Sequence, residues 1–204
     1  MDLNYRVTNL FPVSIHEFSV DGFDDIKSEL IDYAYDLKYQ DPDGNKISNI
    51  GGWQSKGFNV RNEDVLQNFL GRSITQIQNI RSGVEINIYA WVNINQTTNY
   101  NMKHNHPWSD LSGVLWIKTP DNCGKLTFES PYNFTGNKEI CAYTGEYKHR
   151  SNSFLTYFYE PYEGGMLIFP SHLTHWVEPN KSEEDRISVS FNIRLSNPNG
   201  TLNR

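Results

Sequence analysis

The chain has 204 residues, of which 37% are apolar and 21% charged, enough for one domain with a sizeable core. A net charge of −6 and a pI near 5.5 argue against a nucleic-acid backbone or an anionic membrane surface as the main partner. No apolar run approaches the ~18 residues of a membrane span, and Met1-Asp2-Leu3-Asn4-Tyr5-Arg6 lacks the basic and apolar regions of a signal peptide, so a cytoplasmic protein is expected. Without export signals, Cys123 and Cys141 are expected to be free thiols.

Leu10-Phe11-Pro12-Val13-Ser14-Ile15 predicts a short leading strand. From Asp21 to about Lys38, apolar Ile26, Leu30, Ala34 and Leu37 recur at helical spacing behind an acidic start, which predicts an amphipathic helix. Asp41-Pro42-Asp43-Gly44-Asn45 begins like a calcium loop. It places Lys46 where glycine is required and Gly52 where glutamate is required, so an ordinary turn is expected. Two further helical patterns lie between Glu63 and Arg81, separated near Gly71.

At Val84 the period changes to two, and Val84, Ile86, Ile88, Ala90, Val92 and Ile94 alternate with polar or aromatic residues through Asn95. Leu111 to Lys118 is apolar on both faces, as in a buried strand. Shorter strands are expected at 125–129, 153–158, 165–169 and 173–177, and a long one at 186–195. Helical support over about 21–81 followed by a β-core over about 84–196 predicts a single α+β, mostly β domain built as an antiparallel sandwich or barrel. The aromatic-rich stretch from Ser130 to Tyr162 is too long for a hairpin turn and suits a lid.

Four of the six histidines lie in two short segments, Lys103-His104-Asn105-His106-Pro107-Trp108-Ser109-Asp110 and Phe169-Pro170-Ser171-His172-Leu173-Thr174-His175. Neutral imidazoles converging from strand ends make a site for a divalent transition metal. His-x-His alone only puts two rings on one face of an extended segment, and such histidines also cap strands; adding His175 and Arg186 favours a site. On the last strand Arg186, Ser188, Ser190 and Asn192 share one face. That face is either simply wet, with Arg186 in a surface salt bridge to Glu178 or Glu183, or it lines the interior and grips an anionic ligand.

His104-Asn105-His106-Pro107, Leu111-Ser112-Gly113-Val114, Gly124 to Phe128, Gly165 to Ser171, and His175 with Arg186-Ile187-Ser188 together resemble the small 2-oxoglutarate/Fe(II)-dependent oxygenases of bacterial and phage type. Leu10-Phe11-Pro12 and Trp91-Val92-Asn93 match as well. The resemblance implies a double-stranded β-helix, of the jelly-roll or cupin-like kind, with N-terminal helices packed on one side. It also implies Fe(II) and 2-oxoglutarate as cofactor and co-substrate. Carried over by position, His104 and His175 are iron ligands, and Arg186 with Ser188 holds the far carboxylate of 2-oxoglutarate. The eleven residues from His175 to Arg186 are expected to form a hairpin placing both on neighbouring strands.

The wider superfamily carries a carboxylate two residues after its first histidine, where this chain has His106. His106 or Asp110 is therefore the third ligand, and strand geometry favours His106. The implied activity is hydroxylation of a C–H bond in a small-molecule or peptidyl substrate, with release of succinate and CO2. Tyr89, Trp91, Asn93 and Trp108 are candidate pocket walls, and Trp116 is expected in the core. A zinc-dependent three-histidine hydrolase or hydratase, and a non-catalytic cupin-like metal- or sugar-binding module, are the alternatives. A free amino acid, a peptidyl residue such as proline, a nucleobase or a lipid precursor would each suit aromatic walls. A membrane or nucleic-acid partner is not expected, and the oligomeric state, a homodimer included, is open.

Overall fold

The computed structural model describes residues 8, 10–60, 70, 84–132, 144–146, 148 and 154–196. In chain order these form β1 (His16–Ser19), α1 (Phe23–Gln40), β2 (Asn49–Ile50), β3 (Trp53–Gln54), β4 (Phe58–Asn59), β5 (Glu85–Asn95), β6 (Tyr100–His104), β7 (Leu111–Lys118), β8 (Leu126–Glu129), β9 (Thr156–Tyr159), β10 (Gly165–Pro170), β11 (His175–Val177) and β12 (Arg186–Ser196). Two antiparallel sheets face each other. The larger is ordered β1-β10-β7-β12-β5-β3, with β4 also on β5, and the smaller β2-β6-β11-β8-β9. This is the mostly β, double-stranded β-helix expected from the sequence, with α1 the one helix described along its whole length.

One face of the large sheet is apolar because its central strands carry apolar residues on alternate positions. Ala90, Val92 and Ile94 of β5 and Ile187, Val189, Phe191 and Ile193 of β12 point outward into a core closed by Phe23, Leu30 and Ala34 of α1. Asp24 and Asp25 in the first turn of α1 and Lys38 in its last turn complement the helix dipole. The opposite face of the sheet meets the small sheet through Val114, Trp116, Leu126, Phe128, Leu167, Phe169 and Leu173. Gly113 of β7 is required by this packing, since a Cβ there would lie 2.3 Å from the Phe191 ring and 2.5 Å from the Leu167 carbonyl.

Several expectations need correction. The leading strand is His16–Ser19 rather than 10–15, because Pro12 offers no ladder donor and Phe11 turns through φ 57°. Helical support does not run unbroken from 21 to 81: after α1 the chain lays three two-residue strands, β2 to β4, against β5 and β6. The helical patterns between Glu63 and Arg81 lie outside the described residues, apart from Leu70, which is helical and fully buried. Much of the Ser130–Tyr162 stretch also lies outside them; its end forms β9, which pairs with β8.

His175 and Arg186 are not on neighbouring strands. His175 lies in the small sheet between β6 and β8, whereas Arg186 pairs with Asn95 of β5 in the large sheet. The intervening segment crosses between sheets instead of folding into a hairpin. Its anchor is Asn180, which has no exposed surface and whose side chain donates to the Asn95 and Glu184 carbonyls at 2.9 and 2.8 Å and accepts from the Ser182 amide at 2.9 Å. The crossover sets the ends of the two sheets face to face around a common pocket.

Candidate functional site

His104 ends β6 and His175 opens β11, and the two are register partners. His106 follows β6 directly; its amide donates to the Ser171 carbonyl at 2.9 Å and its carbonyl accepts from Ser109 at 3.2 Å, which fixes the tight turn after it. The three imidazoles meet, with ring centroids 4.4 Å apart for His104 and His175, 4.9 Å for His104 and His106, and 5.2 Å for His106 and His175. One ligand nitrogen from each lies within 4.8 Å of the others.

The hydrogen bonds fix which nitrogen is free. His104 Nδ1 lies 2.6 Å from the Met102 carbonyl and His175 Nδ1 2.8 Å from the Leu173 carbonyl. A carbonyl only accepts, so each Nδ1 carries the proton and each Nε2 keeps a bare lone pair. Burial holds all three rings neutral at physiological pH: it lowers His104, takes His106 down to about 4 with help from the neighbouring His104, and takes His175 down to about 3. Phe169 and Phe128 wall His175, with centroids at 4.9 and 6.0 Å. Neutral nitrogen donors, oriented from behind, suit a divalent transition metal such as iron.

From the histidines the pocket runs inward over paired residues of β5 and β12: Trp91 with Ser190, Asn93 with Ser188, and Asn95 with Arg186. Arg186 is 2% exposed and, among the described residues, forms no salt bridge, so it is not in a surface pair with Glu178 or Glu183. Its Nη1 donates to the Cys123 carbonyl and, at 3.2 Å, to the Glu178 carbonyl, while Nη2 has no partner among the described residues. Burial lowers the guanidinium to about 10, so it remains a cation at neutral pH. A buried cationic donor left unpaired is costly, and a carboxylate is its natural acceptor. A dicarboxylate such as 2-oxoglutarate therefore fits the inner end of the pocket, as a divalent metal fits the outer.

Of the other residues singled out in the sequence, Ser188, Trp91 and Asn93 line the pocket, and the Trp91 and His106 rings lie 5.8 Å apart. Trp116 is core, 4% exposed, and also pocket wall. Three assignments are corrected. Asp110 is turned away: its Oδ2 accepts from the Leu195 amide at 2.8 Å, and the metal-competent group is formed by histidines. Trp108 is 81% exposed on the turn, outside the pocket. Tyr89 shares the face of Trp91 but lies farther along β5, its ring over Gly57. Asn95, Asn101, Ser48 and Ser190 also line the pocket. The alternation that marked Asn93 and Ser188 reaches Asn95 and Ser190 at the next same-face positions, whereas Ser48 and Asn101 carried no signal.

The profile of the family described as "Putative 2OG-Fe(II) oxygenase" matches residues 89–192, just over half of the chain. No curated protein sequence gives a significant match. Among solved structures, a Pseudomonas putida prolyl-4-hydroxylase superposes with a TM-score of 0.60 at 14% identity, covering 89% of this chain and 92% of its own. A Trichoplax adhaerens prolyl hydroxylase, in complex with a hypoxia inducible factor peptide fragment, also gives 0.60, at 12% identity over 88% and 83% of the two chains. The epimerase SnoN of nogalamycin biosynthesis, in complex with Fe3+, alpha ketoglutarate and nogalamycin RO, gives 0.55 at 13% identity over 89% and 79%. The matched segment runs from β5 to β12 and so contains the three histidines and Arg186: the chain belongs to the 2-oxoglutarate/Fe(II) oxygenase family and is an oxidoreductase using iron and 2-oxoglutarate.

Proposed function

We propose that His104, His106 and His175 hold Fe(II) through their Nε2 atoms, that Arg186 and Ser188 bind the far carboxylate of 2-oxoglutarate, and that the enzyme hydroxylates a C–H bond of a small-molecule or peptidyl substrate. The balance is R–H + O2 + 2-oxoglutarate → R–OH + succinate + CO2. The observation that carries this reading is the pocket's polarity: bare imidazole nitrogens at one end, and a buried, unpartnered Arg186 Nη2 at the other. A zinc hydrolase would use the first and leave the second idle.

Bound iron and 2-oxoglutarate supply the oxidising power; the chain supplies position and dryness. The Met102 and Leu173 carbonyls fix the tautomers of His104 and His175. Three neutral ligands leave the metal's double positive charge to be balanced by the 2-oxoglutarate dianion. Leu126, Phe169 and Trp116 keep the walls apolar, and Trp91 beside His106 is an aromatic wall next to the metal end, where a substrate would be met. The prolyl hydroxylase and SnoN structures hold a peptide fragment and nogalamycin RO respectively, so both substrate classes suit this fold.

Anaerobically loaded Fe(II) protein, given 2-oxoglutarate, oxygen and a panel of amino acids, proline-containing peptides, nucleobases and lipid precursors, should release succinate in stoichiometric step with one hydroxylated product. Products from the panel without succinate release would refute the reading.

A further inference from the structure

Asn95 takes no part in the site as read from the sequence, yet it is the cross-strand partner of Arg186 and lines the same pocket. It is 2% exposed, and among the described residues its Nδ2 has no hydrogen-bond partner. Among the described pocket residues, three buried side-chain atoms lack partners: Arg186 Nη2 and Asn95 Nδ2, which are donors, and Asn93 Oδ1, an acceptor. The two donors belong to directly paired residues on one face of the sheet, so their side chains leave the backbone roughly 5 Å apart. Buried amide N–H groups rarely lack an acceptor, and two unmet donors on paired residues of one pocket call for a ligand with two oxygens.

The surroundings hold the amide in place. The Asn95 carbonyl accepts from the buried Asn180 side chain at 2.9 Å, which fixes the backbone. The side chain rests against Gly52, where a Cβ would lie 2.6 Å from Nδ2 and 3.3 Å from Cγ. Gly52 is itself tied down, its carbonyl accepting from Asn49 Nδ2 at 2.7 Å. Only a residue without a side chain lets Asn95 occupy this place. A site supported from behind in this way is preorganised for its ligand.

We propose that Asn95 is a specificity-determining residue of the co-substrate pocket, its Nδ2–H donating to the second oxygen of the far carboxylate whose first oxygen is held by Arg186. This rests on the 2-oxoglutarate reading given above. The pair forms a two-donor clamp, one arm charged and one neutral. It selects 2-oxo acids that end in a carboxylate, because a ligand ending in a methyl group would leave both donors unmet.

The test compares two ligands on anaerobic Fe(II) protein by calorimetry: 2-oxoglutarate and 2-oxopentanoate, which keeps the 2-oxo acid head and ends in a methyl group. Asn95→Ala should weaken 2-oxoglutarate about tenfold and leave 2-oxopentanoate within about twofold. Asn95→Asp, nearly isosteric, should weaken 2-oxoglutarate about a hundredfold or more, since the new carboxylate would take the free Arg186 nitrogen and repel the dianion. Equal weakening of both ligands by Asn95→Ala would assign Asn95 to the scaffold alone and overturn the clamp, as would unchanged binding of both. If wild-type protein binds the two ligands equally and Arg186→Gln changes neither, the carboxylate site itself is absent and the clamp falls with it.

Discussion

His104 and His175 sit directly opposite each other on β6 and β11, and each gives its Nδ1–H to the carbonyl two residues earlier in the chain. The two rings are therefore locked in the same tautomer by the same local device, with both Nε2 atoms facing one space. Strand pairing sets their separation, and the backbone sets their orientation, before any metal arrives.

Replacing either His104 or His175 with Ala should abolish stoichiometric Fe(II) binding, measured by metal analysis after anaerobic gel filtration. Circular dichroism should show the fold retained, since neither side chain bridges the two cores. Full iron occupancy in either variant would remove that residue from the metal site.

The third ligand separates the two candidates by position. His106→Ala should weaken Fe(II) binding at least about tenfold, the scale on which loss of even a supporting contact acts on metal sites. Asp110→Ala should leave Fe(II) affinity unchanged and lower stability slightly, through loss of the Leu195 amide contact. A metal-binding defect in the Asp110 variant alone would restore an ordinary pair of histidines with one carboxylate.

Much of this site was legible because period-two alternation marks β5 and β12, and the same alternation fixes the faces of Asn93, Arg186 and Ser188. β6 was not legible: the alternation in Tyr-Asn-Met-Lys-His is short and misleading, since Met102 is exposed and Asn101 buried, and its strand state comes from pairing with β11 and β2. The crossover after β11 carries turn residues that suit a hairpin equally well; only the long-range bonds of Asn180 decide between them. Trp108 lies outside the pocket because an aromatic residue near a site in sequence carries no information on which way its turn faces, and Tyr89, though on the face of Trp91, lies too far along β5. The unpartnered nitrogen of Arg186 is a property of three dimensions, since Cys123 and Glu178 satisfy only one end of the guanidinium.

Asn180 makes three side-chain hydrogen bonds from a fully buried position and ties the crossover to β5 next to Asn95. Asn180→Ala should cost about 2–4 kcal/mol in urea unfolding, since it strands three backbone groups. It should also weaken 2-oxoglutarate binding while sparing Fe(II), because the crossover positions Arg186 and the metal ligands stand on other strands. An equal loss of both would mean that the crossover supports the whole pocket rather than its inner end.

Tyr35 of α1 donates to Asp185 at 2.8 Å, joining the helix to the residue before Arg186. Burial, then the hydrogen bond and charge of Asp185, raise its hydroxyl from 10.0 to about 12. A raised folded-state pKa means that the contribution is complete below about 10 and disappears as pH climbs through about 12. The stability advantage of wild type over Tyr35→Phe should therefore hold up to about pH 10 and shrink between about pH 10 and pH 12 in urea titrations. A constant difference would show that the hydroxyl does not feel Asp185.

The central claim is that 2-oxoglutarate bridges the histidine cluster and Arg186, and it is tested most directly by titrating 2-oxoglutarate into anaerobic Fe(II) protein and following the metal-to-ligand charge-transfer absorption. Wild type should develop the band and saturate at one equivalent. Arg186→Gln should develop the same band with a dissociation constant raised about ten- to a hundredfold, the loss of a charged hydrogen-bonding partner being ~1.5–3 kcal/mol, with Fe(II) affinity unchanged. No band in wild type, or identical affinity in the variant, would contradict the account.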